Sequence, residues 1–526
     1  MKRIHQIYML AIGAAMTLSS CNDFLDKMPD SRTEVDNEKK ITAILVSAYS
    51  QNYPIMAYEI SSDNTMDNGA NYDPFWKSIT QAYRWEDVTE IDDDDPKGIW
   101  EGCYGAISSA NMALQAIEEL GNPANLNGQR GEALICRAYW HFVLANTFCV
   151  AYNPQTADVD MGIPYTLEPE TKPVTLPSRG TMAELYAYIA KDVEEALPLI
   201  NDDIYSVPKY HFNRKAAYAF ATRFYLFYTH ADKSNYAKAI EYANKVLGTG
   251  NPSGLLRDWT TLNNLPTDLS LIGDTYISAN DPSNLLITPI LSVWGYAHGP
   301  YSGRNRRYGN ANTLFAREGA QATGPWGSSS NLRTVKKLFG LSQKIFVPKM
   351  NAYFEYTDKA AGIGLLHLVV PMFTTDETLL CRAEAYILNN NPEAGVKDIN
   401  YWLKSHSVTY QAKSTADLVS FYSGVAYMPT VPESMGQRTI KKKLNPVGFT
   451  VTEGEQENLI QCVLHLRRVE TVHEGLRWLD VKRYGIEISH NRDGEEADVL
   501  TKDDLRRAWQ LPQDVVAAGI PGNPRK

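Results

Sequence analysis

From Glu38 onward, apolar residues recur at spacings of three and four, the period at which an α-helix turns one face toward a core. Ile41, Leu45 and Ala48 share such a face with Asn52. Asp95-Pro96 reads as an N-cap followed by proline at the first helical position, where a missing N–H costs nothing. The helix it opens carries Ile99, Cys103, Ile107, Ala110, Leu114 and Ile117. Helices over 129–150 and 181–200 follow. The second begins with Thr181 and Glu184 at capping-box spacing, each side chain satisfying the other's free backbone N–H.

Residues 213–250 hold a helical pair. RKAAYAFATRFYLFY sets small residues among aromatics, THADKSN breaks the run, and YAKAIEYANKVL resumes it. The second half resembles the B helix of a tetratricopeptide repeat, with Tyr236, Ala239, Ile240, Tyr242 and Val246 at the expected positions. Small residues suit a close helix crossing. A second pair spans 374–406, with Thr374 and Glu377 as a capping box and Asn391-Pro392 restarting the chain into Val396, Ile399 and Leu403. The repeats therefore form an interrupted array, mainly 38–52, 96–250, 374–407 and 455–485. The interruptions, 53–94 and 251–373, are rich in Gly, Pro, Asn and Ser, and so are read as irregular. They also carry Tyr72, Trp76, Trp85, Trp259, Trp294, Tyr296, Tyr301, Tyr308 and Trp326. Long irregular stretches inside a folded chain are usually functional, and this aromatic content argues against disorder.

Lys2 and Arg3, a short apolar run over 7–18, and Leu18-Ser19-Ser20-Cys21 read as a lipoprotein signal peptide over 1–20. The run is too short to span a bilayer. Its removal shifts the formal charge of −10 to −12 by deleting those two cations. Acyl chains on Cys21 would then anchor a polar tether over 21–37. The remaining cysteines, Cys103, Cys136, Cys149, Cys381 and Cys462, are odd in number and lack C-x-x-C spacing, so they read as small buried hydrophobes. The scattered positive charges exclude a nucleic-acid face.

The catalytic motifs fail on inspection. His473-Glu474 opens an H-E-x-x-H pattern, but Arg477 takes the place of the second His. Glu474, Arg477, Asp480 and Arg483 read instead as an internal ion-pair network fixing two helices. Glu86–Asp95 holds seven acids, yet counting a calcium loop from Asp93 puts Tyr104 where glutamate belongs, so a solvated, helix-capping loop is the first expectation and a surface metal ion such as calcium the second. No nucleophile elbow, phosphate loop, metal cluster or cofactor motif stands out. With 31 Tyr and 10 Trp against 15 Phe, binding by aromatic platforms is the natural chemistry, rings stacking on sugar C–H faces while polar groups take hydroxyls. The expected ligand contacts are Tyr72, Trp76, Trp294, Tyr296, Tyr301, Arg304, Asn305 and Trp326.

Several ordered landmarks resemble the SusD/RagB family of nutrient-binding outer-membrane lipoproteins. They are Cys21 followed by DFLD and Pro29, WEGCYGAISSAN (Trp100, Tyr104, Ile107, Asn111), RGEALICRAYWHFVLANTF, GIPY at 162–165, RAEAY at 382–386, and RRVETVHEGLRWLDVKRYG at 467–485. Asp23 alone is acidic within four residues after Cys21, fewer than surface-exported members often carry, and His473 stands where the family commonly has a residue such as Phe. The resemblance implies a single mainly α domain over 38–526, with four tetratricopeptide-like helix pairs and an irregular ligand-facing half. It implies a cell-surface protein without catalysis that captures a glycan or, as in the RagB branch, a peptide. It further implies delivery to a SusC-like TonB-dependent barrel, contacted by the repeat side.

Overall fold

The structure is a computed structural model describing residues 35–169, 177–298, 306–334, 339–341, 344–349 and 351–525. The signal segment and Cys21 lie outside these residues. The chain is mainly helical. Helix α1 (Glu38–Leu45) is capped by Asn37, whose side chain accepts from Lys40 N at 3.1 Å, and it tightens into a 3₁₀ turn through Ala48. Asn52 lies beyond this helix and donates to Asp93 O at 3.1 Å. The buried α2 (Ile55–Ser61) and α3 (Lys77–Tyr83) interrupt the first irregular segment.

Helix α4 (Pro96–Glu119) begins where the sequence predicts, with Asp95 extended and Pro96 at the first position, but the Asp95 side chain makes no capping hydrogen bond. Its buried stripe of Ile99, Cys103, Ile107, Ala110 and Ile117 packs on α5 (Asn127–Phe148), and α5 packs in turn on α6 (Met182–Ala196). The Thr181–Glu184 capping box is present. Helices α7 (Arg214–Phe227) and α8 (Ser234–Leu247) form the predicted hairpin. Buried Ala216, Ala217, Ala221, Ala239 and Ala243 allow their close approach. Buried Asn235 satisfies the break between them, accepting from His230 N and donating to Tyr225 O.

The long insert departs from the irregular reading. After α9 (Trp259–Asn264) and α10 (Leu269–Tyr276) comes strand β1 (Asn284–Leu291), then α11 (Trp294–His298) and α12 (Asn312–Arg317). Strands β2 (Tyr353–Asp358) and β3 (Ile363–Thr374) complete an antiparallel sheet in the order β1-β3-β2. The sequence signal was weak because GIGLLHLVVPMFT is a nearly unbroken apolar run containing a proline, with neither helical nor alternating period. Pro371 is tolerated because β2 pairs only as far as His367, so Pro371 lies beyond the laddered length of that edge.

Strand β3 runs straight into α13 (Thr375–Leu388), which forms a hairpin with α14 (Pro392–His406) and stacks on α7 and α8. The array thus closes in space across its insert. Arg382 of α13 makes this junction: Nε and Nη2 fork onto Asp398 of α14 at 2.8 Å each, and Nη1 reaches Asn244 Oδ1 of α8 at 2.8 Å. Thr374 caps α13, but the reciprocal half of the expected capping box is replaced by an ion pair, because Glu377 accepts from Arg223 Nε at 3.1 Å. Helix α15 (Thr415–Ser423) and helix α16 (Glu455–Glu470) follow, with α17 (Leu476–Arg483) closing the array.

The predicted ion network at the end of the chain exists with different partners. Arg477 forks onto Asp63, Asp480 accepts from Arg467, Arg483 pairs with Glu384, and Glu474 pairs with Lys349. Except for Asp480 with Arg467 on the preceding helix, these charges pair with residues distant in sequence, so helical spacing could not reveal their partners. All are buried. Removing one partner of such a pair strands a desolvated charge, at a cost of about 3–5 kcal/mol.

Candidate ligand-binding site

Two sequence-distant segments are welded into one aromatic surface. Asp67 takes the Arg307 guanidinium as a fork, at 2.8 Å from Nε and 2.6 Å from Nη2. The backbones beside them cross-link, Asn68 N to Arg307 O and Arg307 N to Asp73 O, each at 2.8 Å. Asp73 then turns the chain: its Oδ1 accepts from Phe75 N at 2.9 Å, and Phe75 adopts φ of +75°. A bulky residue rarely adopts that conformation, and here it presents the ring to two neighbours. Phe75 stacks on Trp76 with centroids 4.7 Å apart and carries the Arg306 guanidinium 3.9 Å from its own centroid.

Arg306 is itself held by Asp73 Oδ2 at 2.5 Å and by Ala297 O of α11 at 3.2 Å. Helix α11 contributes Tyr296, whose ring lies 6.4 Å from Phe75 and is 44% exposed. Phe75 and Trp76 are half-buried. With Phe75 held between Trp76 and a largely buried Arg306, the Trp76 and exposed Tyr296 rings can stack on apolar ring faces, and the exposed Asp73 carboxylate can bond hydroxyl groups.

The acidic run helps to place α11. Asp94 accepts from Ser292 Oγ at 2.6 Å and Val293 N at 2.9 Å, and Ser292 Oγ in turn accepts from Trp294 N. Asp94 and Asp95 are buried, not solvated as the charge run suggested, and burial pushes both carboxyls up to about 7. Helix geometry explains the difference: the chain must turn inward to start α4, and it takes its last two acids along.

Grooves of about 860, 770 and 410 Å³ lie elsewhere, lined respectively by residues such as Tyr427 and Lys443, Arg130 and Glu195, and Trp100 and Tyr104. None of these is lined by the aromatic cluster. Stacking on a ring face needs exposed flat area and not an enclosed volume, so their size does not displace the cluster as the candidate.

Residues 23–226 match a SusD-like family model described as "Starch-binding associating with outer membrane". In fold, the chain is similar to SusD superfamily proteins from Bacteroides thetaiotaomicron and Bacteroides fragilis. Each is 17% identical with a TM-score of 0.62, covering 92% of this chain and 98% of the other. The chain has a SusD-like fold. A SusD-like carbohydrate binding protein from Bacteroides vulgatus, 14% identical, aligns with a TM-score of 0.59 over 93% of each chain. At such identities the likeness is one of fold. No functionally curated protein matches the sequence.

Within this SusD-like frame, the expected contact residues divide. Trp76 and Tyr296, from different irregular segments, meet around Phe75, while Tyr72 is half-buried in the loop leading to them. Trp294 and Trp326 differ from expectation, being 3% and 5% exposed. Trp294 Nε1 donates to His473 O at 3.1 Å, and Trp326 packs against His465 and Trp402. Neither ring offers a face to solvent. Tyr301, Arg304 and Asn305 lie outside the described residues. Sequence reading missed Phe75, Asp73 and Arg306. The Phe-Trp doublet was a signal for the first; only the fold brings Asp73 and Arg306 together.

Proposed function

We propose that this SusD-like chain captures an oligosaccharide at the outer surface of the cell without chemically changing it. The observation that supports this most is the Phe75–Trp76 stack beside exposed Tyr296. Rings held in place before binding lose little entropy when a ligand arrives. The description of the matching family model as starch-binding and outer-membrane-associated points the same way. Lipid on Cys21 anchors the chain, and a SusC-like TonB-dependent barrel takes the captured glycan, with the stacked helices as the broad surface that meets it.

Calorimetry against a panel of polysaccharides and oligopeptides tests the binding. The expected result is affinity for at least one glycan, weakened about tenfold in Trp76→Ala and in Tyr296→Ala, the scale of one lost aromatic contact. Binding confined to peptides would move the reading to peptide uptake. Release of shortened products from a bound glycan would make the chain an enzyme. Membrane fractionation of a Cys21→Ala chain tests the anchor, and co-purification of a barrel protein with the lipidated chain tests the partner.

A further inference from the structure

Three repeat helices converge on one dry point. Asp376 stands in the first turn of α13, His406 ends α14 and Glu470 ends α16. One nitrogen or oxygen from each lies within 4.8 Å of the other two, and none of the three residues is more than 3% exposed. His406 Nδ1 sits 3.0 Å from the carbonyl oxygen of Trp402. A carbonyl only accepts, so the ring proton belongs on Nδ1, and in neutral imidazole Nε2 presents a lone pair.

That Nε2 lies 2.9 Å from Glu470 Oε2, yet it makes no aligned hydrogen bond. Asp376 Oδ1 likewise meets no donor among the described residues. With the imidazole neutral, three acceptors face one another out of water, which is unfavourable unless a metal ion or a proton lies between them. The neighbouring cations direct their hydrogen bonds to other groups, although Arg257 Nε meets no acceptor among the described residues. The Arg257 guanidinium serves Asp281 and Asn284, with only its backbone N reaching Asp376 Oδ2. Lys349 serves Glu474 and the Glu470 carbonyl.

We propose that Asp376, His406 and Glu470 together bind one divalent first-row metal ion, such as Zn²⁺ or Mn²⁺, as a staple across α13, α14 and α16. One imidazole and two carboxylates are the donors such ions take. The 2.9 Å between Nε2 and Oε2 is the chord of two ligands each about 2.1 Å from an ion and about 90° apart, the octahedral angle that suits Mn²⁺; tetrahedral Zn²⁺ would open it to about 3.4 Å. The outer contacts are also those of a metal site: Nδ1–H is fixed by a carbonyl, and Trp402 Nε1 donates to Glu470 Oε2 at 2.8 Å. Nothing in the sequence announces the cluster, because its members come from three helices at no motif spacing. Enclosure implies that the ion enters as the chain folds.

Metal analysis of the purified full chain is expected to find about one equivalent of ion, lost in His406→Gln and Asp376→Asn. Refolding with chelator should lower the wild-type melting temperature, and Zn²⁺ or Mn²⁺ added during refolding should restore it. Refolding with Co²⁺ should give visible absorption bands from the wild-type chain, a readout that does not depend on either variant folding. A metal-free wild-type chain whose melting ignores chelator and added ions, or a wild-type chain without cobalt bands, overturns the proposal. So does metal retained at the same stoichiometry in both folded variants, which would mean an adventitious ion only.

Discussion

Arg477 and Asp63 lie 414 residues apart in sequence and meet as a fork, Nε on Oδ1 at 2.8 Å and Nη2 on Oδ2 at 2.9 Å. Lys442 adds a third contact to the same carboxylate at 2.8 Å, and Arg468 approaches it at 3.5 Å. The pair joins the turn after α2 to α17, so the first and last parts of the helical body are closed by charge as well as by packing.

Asp63→Asn should therefore destabilise the chain by about 3–5 kcal/mol in chemical denaturation, since buried cations lose their counter-charge. Burial alone would raise the Asp63 carboxyl, but Arg468, Arg477 and Lys442 overcome it and hold it well below its ordinary value. A depressed folded-state value stabilises above the unfolded one, near pH 4, and is lost as pH falls below that. The gap between wild type and variant should shrink on acidification from pH 5 toward pH 3. A constant gap over that range would mean that shape, not charge, makes the contribution.

The aromatic residues should separate into two groups. Trp76→Ala and Tyr296→Ala are expected to weaken glycan binding with little change in melting temperature, because these rings are partly exposed. Trp326→Ala should do the reverse, costing about 3–5 kcal/mol of stability as a buried large-to-small change. Its folded fraction should bind as wild type does. Loss of affinity in Trp326→Ala at undiminished stability would place the ligand on the wrong side of this description.

The helices were legible because their signals are local. Asp95-Pro96, Thr181 with Glu184, and the alanines of α7 and α8 each state their role within one or two turns. The sheet was not legible, since β1 and β3 pair across an insertion of more than sixty residues and β3 lacks alternation. Trp294 and Trp326 were misplaced for a related reason: a tryptophan among glycines looks exposed until distant elements such as His473 and Trp402 cover it. Asp94 was read as solvated because six acids surround it within ten residues. Only the fold supplies Ser292 and Val293 as its donors.

That burial gives Asp94 a pH signature opposite to that of Asp63. Its carboxyl is pushed up to about 7, chiefly by burial, with neighbouring Asp95 and Asp92 adding to the rise. The folded chain therefore holds a proton there that the unfolded chain releases near pH 4. Stability from this group falls as pH rises from about 4 through 7, by on the order of 2–4 kcal/mol. Asp94→Asn should remove that slope, measured as the difference between variant and wild-type unfolding free energies from pH 5 to pH 8. Parallel curves over the whole range would show that Asp94 is ionised in the fold.

The five cysteines other than Cys21 offer a test of the repeat stack itself. Cys103, Cys136, Cys149, Cys381 and Cys462 are free and buried. Burial pushes the Cys149 thiol up to about 11 and the Cys462 thiol up to about 12. Thiolate is the reactive form, so both exclusion from water and suppressed ionisation protect them. In a Cys21→Ala chain, Ellman's reagent should label none of the five under native conditions at pH 8 and all five in guanidinium. Slow native labelling would report how often helices open, because a thiol can react only when its helix leaves the stack. Fast native labelling of Cys381, which sits in α13 between the two halves of the array and donates to Glu377, would mean that the insert separates two independently moving helical units.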